Sequence, residues 1–294
     1  MRDGVSASCV ALPHGPWTLL ADFLAERLPV ITQPQWRQRM AQGRVLDEDG
    51  HPQPPDAAYR PGTRVYYYRE LETEPVIPFE EQIVYQDEHL LVADKPHFLP
   101  VTPGGRYVQQ TLLVRLKRRT GIETLTPLHR LDRETAGLVL FSVRPQDRGA
   151  YQALFRDKTV DKHYEAVAPL RPELPLPAVY RSRMVPDERF FRQQEVSGEP
   201  NSETHIELLQ AQGTFGLYRL RPVTGRMHQL RVHMNALGRP IVGDLFYPEV
   251  VHGPNADTED LSRPLQLLAR SIAFTDPVTG APRQFESQRN LQWA

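Results

Sequence analysis

The apolar positions of this chain switch between two spacings, and the switches outline its elements. Residues 17–28, Trp-Thr-Leu-Leu-Ala-Asp-Phe-Leu-Ala-Glu-Arg-Leu, have the three-and-four spacing of an amphipathic helix that ends at Pro29. A second helix is expected from about Pro34, carrying Trp36, Arg37, Arg39 and Met40 to Gly43. Short strands follow at Val45-Leu46 and from Arg64 to Arg69. Farther on, Ile83 to Tyr85 and His89 to Pro96 read as a strand hairpin, Leu112 to Arg119 as a helix, and Leu138 to Ser142 as a short buried strand. Another helix begins over Gly149 to Phe155. Period-two or β-branched runs predict strands at Lys162 to Ala168, Thr204 to Leu209 and Phe215 to Arg221. Gly225 to Leu237 reads as a helix, with late strands at Leu265 to Leu268 and Ser271 to Phe274. The pattern is α+β with much antiparallel sheet, not regular βαβ units. It divides into a small unit at 1–72, a proline-containing linker at 73–82 and a larger domain at 83–294.

Composition narrows the picture. The 28 prolines favour rigid loops and short elements, and the single cysteine, Cys9, excludes an internal disulfide framework and a cysteine metal cluster. No apolar run is long enough to cross a bilayer, and the first sixteen residues make a poor signal peptide, so a cytoplasmic location is expected. A net charge of -1 gives no global case for a nucleic-acid partner. Its distribution says more: Arg106 to Arg133 holds seven Lys or Arg against two acids, and Arg219 to Arg239 holds five arginines and no carboxylate. Acids concentrate at Asp47-Glu48-Asp49 and from Asp257 to Asp260. A basic face on a neutral protein suits a locally gripped polyanion, although chance clustering on a solvated surface would look the same.

Three stretches carry candidate chemistry. His129-Arg130-Leu131-Asp132-Arg133-Glu134-Thr135-Ala136-Gly137 sets one carboxylate between two arginines, just before a buried run. Asp132 is either a turn cap paired with Arg130 or a catalytic carboxylate held at a strand end. In Thr224-Gly225-Arg226-Met227-His228-Gln229-Leu230-Arg231-Val232-His233, a tight turn leads into a helix. On that helix Gln229 and His233 are co-facial, as are His228 and Arg231, which leaves Arg226 to meet phosphates. In Lys162-His163-Tyr164-Glu165-Ala166, strand alternation puts Lys162 and Tyr164 on one side. Tyr164 is a base-stacking or proton-transfer candidate, or simply a core tyrosine. Zinc-helix, Walker and dinucleotide signatures are absent, so neither metal nor cofactor is expected. Asp244, in Gly243-Asp244, is expected to anchor backbone or a neighbouring arginine.

Taken together, His129 to Leu140, Val92 to Pro96 with Val101, Lys162 to Ala166, Thr224 to His233 and Gly238 to Asp244 resemble, in order, the motifs of the RluA-type RNA pseudouridine synthases. The resemblance covers roughly residues 80 to 290, and one departure is Ala136, where that family usually has serine. It implies the pseudouridine synthase fold with a mostly antiparallel mixed sheet. It further implies isomerisation of uridine in ribosomal RNA, transfer RNA or both, with no metal, redox agent or energy source; a monomer is expected, because every candidate active-site group lies in one chain. Asp132 would be the catalytic aspartate, Arg231 its basic partner and Tyr164 the aromatic that stacks on uracil. Arg130 would fill the space left by the extruded nucleotide, and His129 would support the motif's shape. Arg226, His228 and Gln229 would contact RNA or brace the site. The first 72 residues resemble a divergent S4-like RNA-binding module, which implies phosphate contacts by Arg37, Arg39 and Arg44; Asp47-Glu48-Asp49 is more acidic than that module's usual turn. The alternative is a noncatalytic RNA-binding or ribosome-assembly protein that retains the synthase fold.

Overall fold

The computed structural model describes residues 4–69, 73–189, 191–251 and 260–293. Residues 70–72, next to the expected linker, and Asp257 and Glu259 of the expected acidic cluster lie outside them. The chain forms two compact units, Met1–Glu74 and Pro75–Ala294.

In the first unit, β1 (Ser8–Ala11), α1 (Leu20–Arg27), α2 (Gln33–Ala41), β2 (Val45–Leu46) and β3 (Arg64–Tyr67) follow one another. The strands pair antiparallel in the order β1-β3-β2. α1 buries Leu20, Phe23 and Leu24, and α2 buries Trp36 and Met40, one helical repeat apart, into a common apolar cluster with Val45 and Val65. The start of α2 is fixed by a proline in its first turn and by Gln35, whose side-chain oxygen accepts the Thr32 backbone N–H at 2.9 Å.

The second unit runs β4 (Gln82–Gln86), β5 (Leu90–Lys95), α3 (Leu112–Thr120), β6 (Thr126–Pro127), β7 (Ala136–Ser142), α4 (Arg148–Arg156), β8 (Asp161–Pro169), β9 (Val179–Pro186), β10 (Gln193–Val196), β11 (Ser202–Gln212), β12 (Phe215–Pro222), α5 (Gln229–Ala236), β13 (Leu267–Thr275) and β14 (Pro282–Glu286). Its sheet has the order β10-β9-β11-β12-β8-β13-β7-β5-β4, with β14 on β13 and β6 on β7. All its pairings are antiparallel except β13 with β7, which is parallel. This is the expected α+β architecture with a mixed sheet. β5 and β7 are buried along their whole length, as the apolar runs Leu90 to Ala93 and Leu138 to Phe141 require of strands covered on both faces. Residues 75–82 belong to this unit, and Ile77 and Glu81 are buried in it.

Two expectations need correction. The late strands at 265–268 and 271–274 are one strand, β13, with a register shift between Ala269 and Ser271 against β8. At that irregularity the Arg270 guanidinium reaches Glu165 on β8 at 2.7 Å, so the polar break in the sequence marks a bulge rather than a strand end. The helix expected from Gly225 begins only at Gln229, because His228 has a left-handed backbone (φ 55) that right-handed helix cannot include. No helix among the described residues is long and apolar enough to cross a membrane.

Candidate active site

Asp132 stands on the loop that feeds β7, and the loop is held from beneath. Leu131 is buried in the core. Lys95, fully buried at the end of β5, donates to the Arg133 carbonyl at 3.1 Å, and His97 Nδ1 lies 2.7 Å from the Glu134 carbonyl. The Thr135 N–H closes the turn on the Asp132 carbonyl at 3.1 Å. Among the described residues the Asp132 side chain accepts no hydrogen bond, and it keeps 28% of its surface exposed. A turn cap would have spent that carboxylate on a backbone N–H; the Asp132 carboxylate instead faces a cleft of about 560 Å³.

Arg231 reaches Asp132 from α5. Its guanidinium is 1% exposed and forms a two-point contact with Asp244: Nε to Oδ2 at 2.8 Å and a terminal nitrogen to Oδ1 at 2.6 Å. The other terminal nitrogen makes no hydrogen bond among the described residues and lies 3.7 Å from both Asp132 and Glu134. Asp244 Oδ1 also accepts the N–H groups of Phe246 and Tyr247, and those two rings lie 4.9 and 5.5 Å from the guanidinium carbon. Asp244 thus has the anchoring part expected of it. These acids hold Arg231 above its ordinary pKa against the opposing effect of burial.

His228 completes the group. Its Nε2 is 3.8 Å from Asp132, and its Nδ1 is 3.0 Å from the Tyr247 hydroxyl. Burial lowers its pKa below the usual histidine range. The left-handed backbone at His228 turns the ring toward Asp132, a placement that helical counting had given to a regular turn.

Tyr164 on β8 lines the same cleft, and so do His129, Arg130, Arg226 and Gln229. Burial, then the Asp132 charge, raises the Tyr164 phenol above its ordinary pKa, so it stays protonated at neutral pH. Arg130 is exposed and lines both this cleft and a neighbouring hollow of about 450 Å³. His129 stacks on Phe155 at 4.8 Å and accepts the Leu140 N–H at 3.2 Å, and burial pushes its pKa down to about 3. It therefore braces the loop as a neutral ring.

Gln229 works inside the protein. Its amide donates to the Glu203 carbonyl and to Thr204 Oγ1 at 2.9 Å, and its oxygen accepts from Thr224 Oγ1 and the Arg226 N–H. That leaves the Arg226 guanidinium on an exposed loop, 3.3 Å from the Asn201 carbonyl. His233 is likewise enclosed, between Ser202 and Thr204. Arg37, Arg39 and Arg44 lie in the first unit: Arg37 is exposed on α2, Arg39 sits over the Trp36 ring at 5.7 Å, and the Arg44 N–H closes the end of α2 on the Arg39 carbonyl.

Sequence reasoning passed over Lys95, Glu134 and the Phe246-Tyr247 pair. A lysine inside the apolar run Leu90 to Ala93 and Pro96 was the available signal for the first, since a buried ammonium needs carbonyls to satisfy it. Nothing local marks the other two, because they meet Arg231 only through the fold.

A mixed sheet carrying a half-buried carboxylate beside a buried arginine, in a cleft rimmed by further cations, suits an enzyme that handles a polyanion. The chain belongs to the RNA pseudouridylate synthase family, whose sequence model matches residues 89–236. It is 32% identical over 232 residues to the dual-specificity RNA pseudouridine synthase RluA of Haemophilus influenzae, across 74% of this chain and 96% of that protein. It is 30% identical over 234 residues to an uncharacterised RNA pseudouridine synthase of Synechocystis, across 78% and 79% of the two chains. Human RNA pseudouridylate synthase domain containing 1 shares the fold, with a TM-score of 0.57 over 74% of this chain and 86% of that one at 23% identity. The chain is accordingly an isomerase that forms pseudouridine in RNA.

Proposed function

We propose that this protein isomerises specific uridines of ribosomal or transfer RNA, with Asp132 as the catalytic carboxylate. The observation that carries the reading is the environment of Asp132: its loop is fixed by Lys95, His97 and Leu131, yet its carboxylate is left free to face the cleft. Fixed geometry and a carboxylate oxygen not spent on the protein are what attack on a ribose carbon, or removal of a ribose proton, requires. Arg231 sets a cation 3.7 Å from the Asp132 carboxylate, while Asp244 and the two rings hold Arg231.

Opening the glycosidic bond leaves its electron pair on N1 of the uracil, which turns so that C5 bonds to C1′; C5 then loses a proton and N1 takes one up, so the product is an isomer. The leaving base is also the incoming nucleophile, so one carboxylate suffices where sugar hydrolysis ordinarily uses two. Tyr164, protonated and half-buried, serves as a neutral platform for the uracil face rather than as a phenolate base. Arg130, at the lip between two hollows, takes the place vacated by the extruded nucleotide, which offsets part of the lost stacking. The first unit acts as an S4-like RNA-binding module and offers Arg37, with Arg39 and Arg44, to phosphates.

The test uses unmodified transcribed ribosomal and transfer RNA carrying tritium at uridine C5. Wild-type protein releases tritium from one class, and Asp132→Asn releases none above background. Release by folded Asp132→Asn at more than about a thousandth of the wild-type rate would remove Asp132 from the chemistry.

A further inference from the structure

The cleft that holds Asp132 continues past Tyr164. Phe155, Lys158, Lys162, Pro222 and Val223 line both that cleft and an adjoining hollow of about 280 Å³. The far wall of the hollow carries Arg221 and His205.

Two features single out the shared rim. Lys158 follows the end of α4 with a left-handed backbone (φ 57), the helix-ending position that glycine usually takes. A side chain there costs about 1 kcal/mol, and this one is directed at the groove. Lys162 projects from β8 on the same face as Tyr164 and is half-buried. Burial lowers its pKa, and the charge of Lys158 lowers it further. Among the described residues neither ammonium has a hydrogen bond or an ion pair. The one acid on this wall, Asp161, is already occupied by Arg221 at 2.8 Å and His163 at 3.1 Å. The fold thus gathers two like charges without an internal anion, beside the proposed uridine pocket.

We infer that Lys158 and Lys162 form a phosphodiester subsite that grips the RNA backbone flanking the target uridine, with Arg221 continuing the track. This rests on the reading that the protein modifies RNA. The pair supplies hydrogen-bond donors and positive charge and no acceptor, which suits phosphate oxygens and carries no base preference. The groove gives the strand a direction: from the Asp132 pocket over the Lys158–Lys162 rim toward Arg221.

The full chain, with Lys158→Gln, Lys162→Gln, Lys162→Arg and the distant Arg171→Gln, is titrated with unmodified transfer RNA and ribosomal RNA transcripts over a range of salt. Each Lys→Gln change lowers affinity about three- to tenfold at moderate salt and reduces the slope of log affinity against log salt by about 0.7 to 0.9, the loss of one phosphate contact. Lys162→Arg keeps the wild-type slope, and Arg171→Gln binds as wild type. Wild-type affinity and slope in both Lys→Gln proteins would overturn the subsite; Lys158 is exposed, so its variant folds and decides the matter alone if Lys162→Gln does not. Calorimetry with inorganic phosphate separates the other source of the same chemistry: lysine-dependent phosphate binding with unchanged RNA binding would also overturn it. Tritium release by the wild type is scored separately. Lysine-dependent RNA affinity without release removes ribosomal and transfer RNA as the modified substrates and leaves the subsite, whereas release with lysine-independent affinity does the reverse.

Discussion

At the scale of single residues, Arg231 is the point on which the site depends. It is 1% exposed and its charge is balanced chiefly by Asp244, also 1% exposed. Asp244→Asn leaves the guanidinium buried with only the longer contacts to Asp132 and Glu134, and removal of one partner of a buried pair costs about 3–5 kcal/mol. Denaturant unfolding of the variant checks this, and tritium release falls with it because Arg231 would turn toward Asp132. Neutral histidines, wholly or partly buried, give a second expectation. His129 has its pKa pushed down to about 3, and His97 and His233 to about 4, each by burial. In the unfolded chain they take up protons near 6.5, so between there and about 3–4 the unfolded state binds more protons. Stability is therefore complete above about pH 6.5 and falls as pH drops through that window. At pH 5 each contributes about 1–2 kcal/mol of loss. For His129 the reason is visible: a protonated ring cannot accept the Leu140 N–H. Melting temperature against pH for wild type and His129→Gln measures it; the variant has the shallower acid limb.

At the scale of elements, the junction of β7 and β13 sets the position of the Asp132 loop. The two strands pair only at Ala136 with Leu268 and Gly137 with Ala269. Gly137 has φ 112, and a Cβ there would fall 2.3 Å from the Ala269 carbonyl oxygen. Gly137→Ala must then push the strands apart, with a loss of at least about 2 kcal/mol and of most tritium release, read by unfolding and by the isomerisation assay. Much of this was legible beforehand. The runs at Leu90 to Lys95, Leu138 to Ser142 and Phe215 to Arg221 fall within or beside observed strands, because strands buried on one or both faces write their period directly into the chain. Strands β1, β9, β10 and β14 were not anticipated. They have exposed faces and mixtures such as Tyr-Arg-Ser-Arg, in which pairing with a neighbour rather than burial supplies the order. Asp132, Tyr164 and Arg231 could be nominated from motif order, and the structure brings Asp132 and Arg231 to 3.7 Å and lines one cleft with all three. The left-handed turn at His228 was not legible, since a long-range contact, not local preference, holds that backbone.

At the scale of the whole molecule, the formal charge of -1 conceals the arrangement that matters. Lys158, Lys162, Arg130 and Arg226 line one cleft, while the Asp47-Glu48-Asp49 turn sits in the other unit, where Asp47 caps the N–H groups of Asp49 and His51. If the first unit grips RNA as proposed, Arg37→Gln lowers RNA affinity and the salt slope by about one contact's worth, and combining it with Lys158→Gln is additive, because separate phosphate contacts act independently. Filter binding over a salt series decides it, and an Arg37→Gln protein with wild-type slope would leave the first unit without that part.

The strand that joins the two parts of the large sheet follows both of them in the chain. β13, at Leu267–Thr275, lies between β8 and β7, so it alone joins the half-sheet that carries Tyr164 to the half-sheet that follows Asp132. On the ribosome the two halves are synthesised, in order, long before their common neighbour emerges. A growing chain therefore has no assembled pocket until β13 leaves the exit tunnel, and a nascent protein that binds RNA by its earlier segments cannot yet modify it.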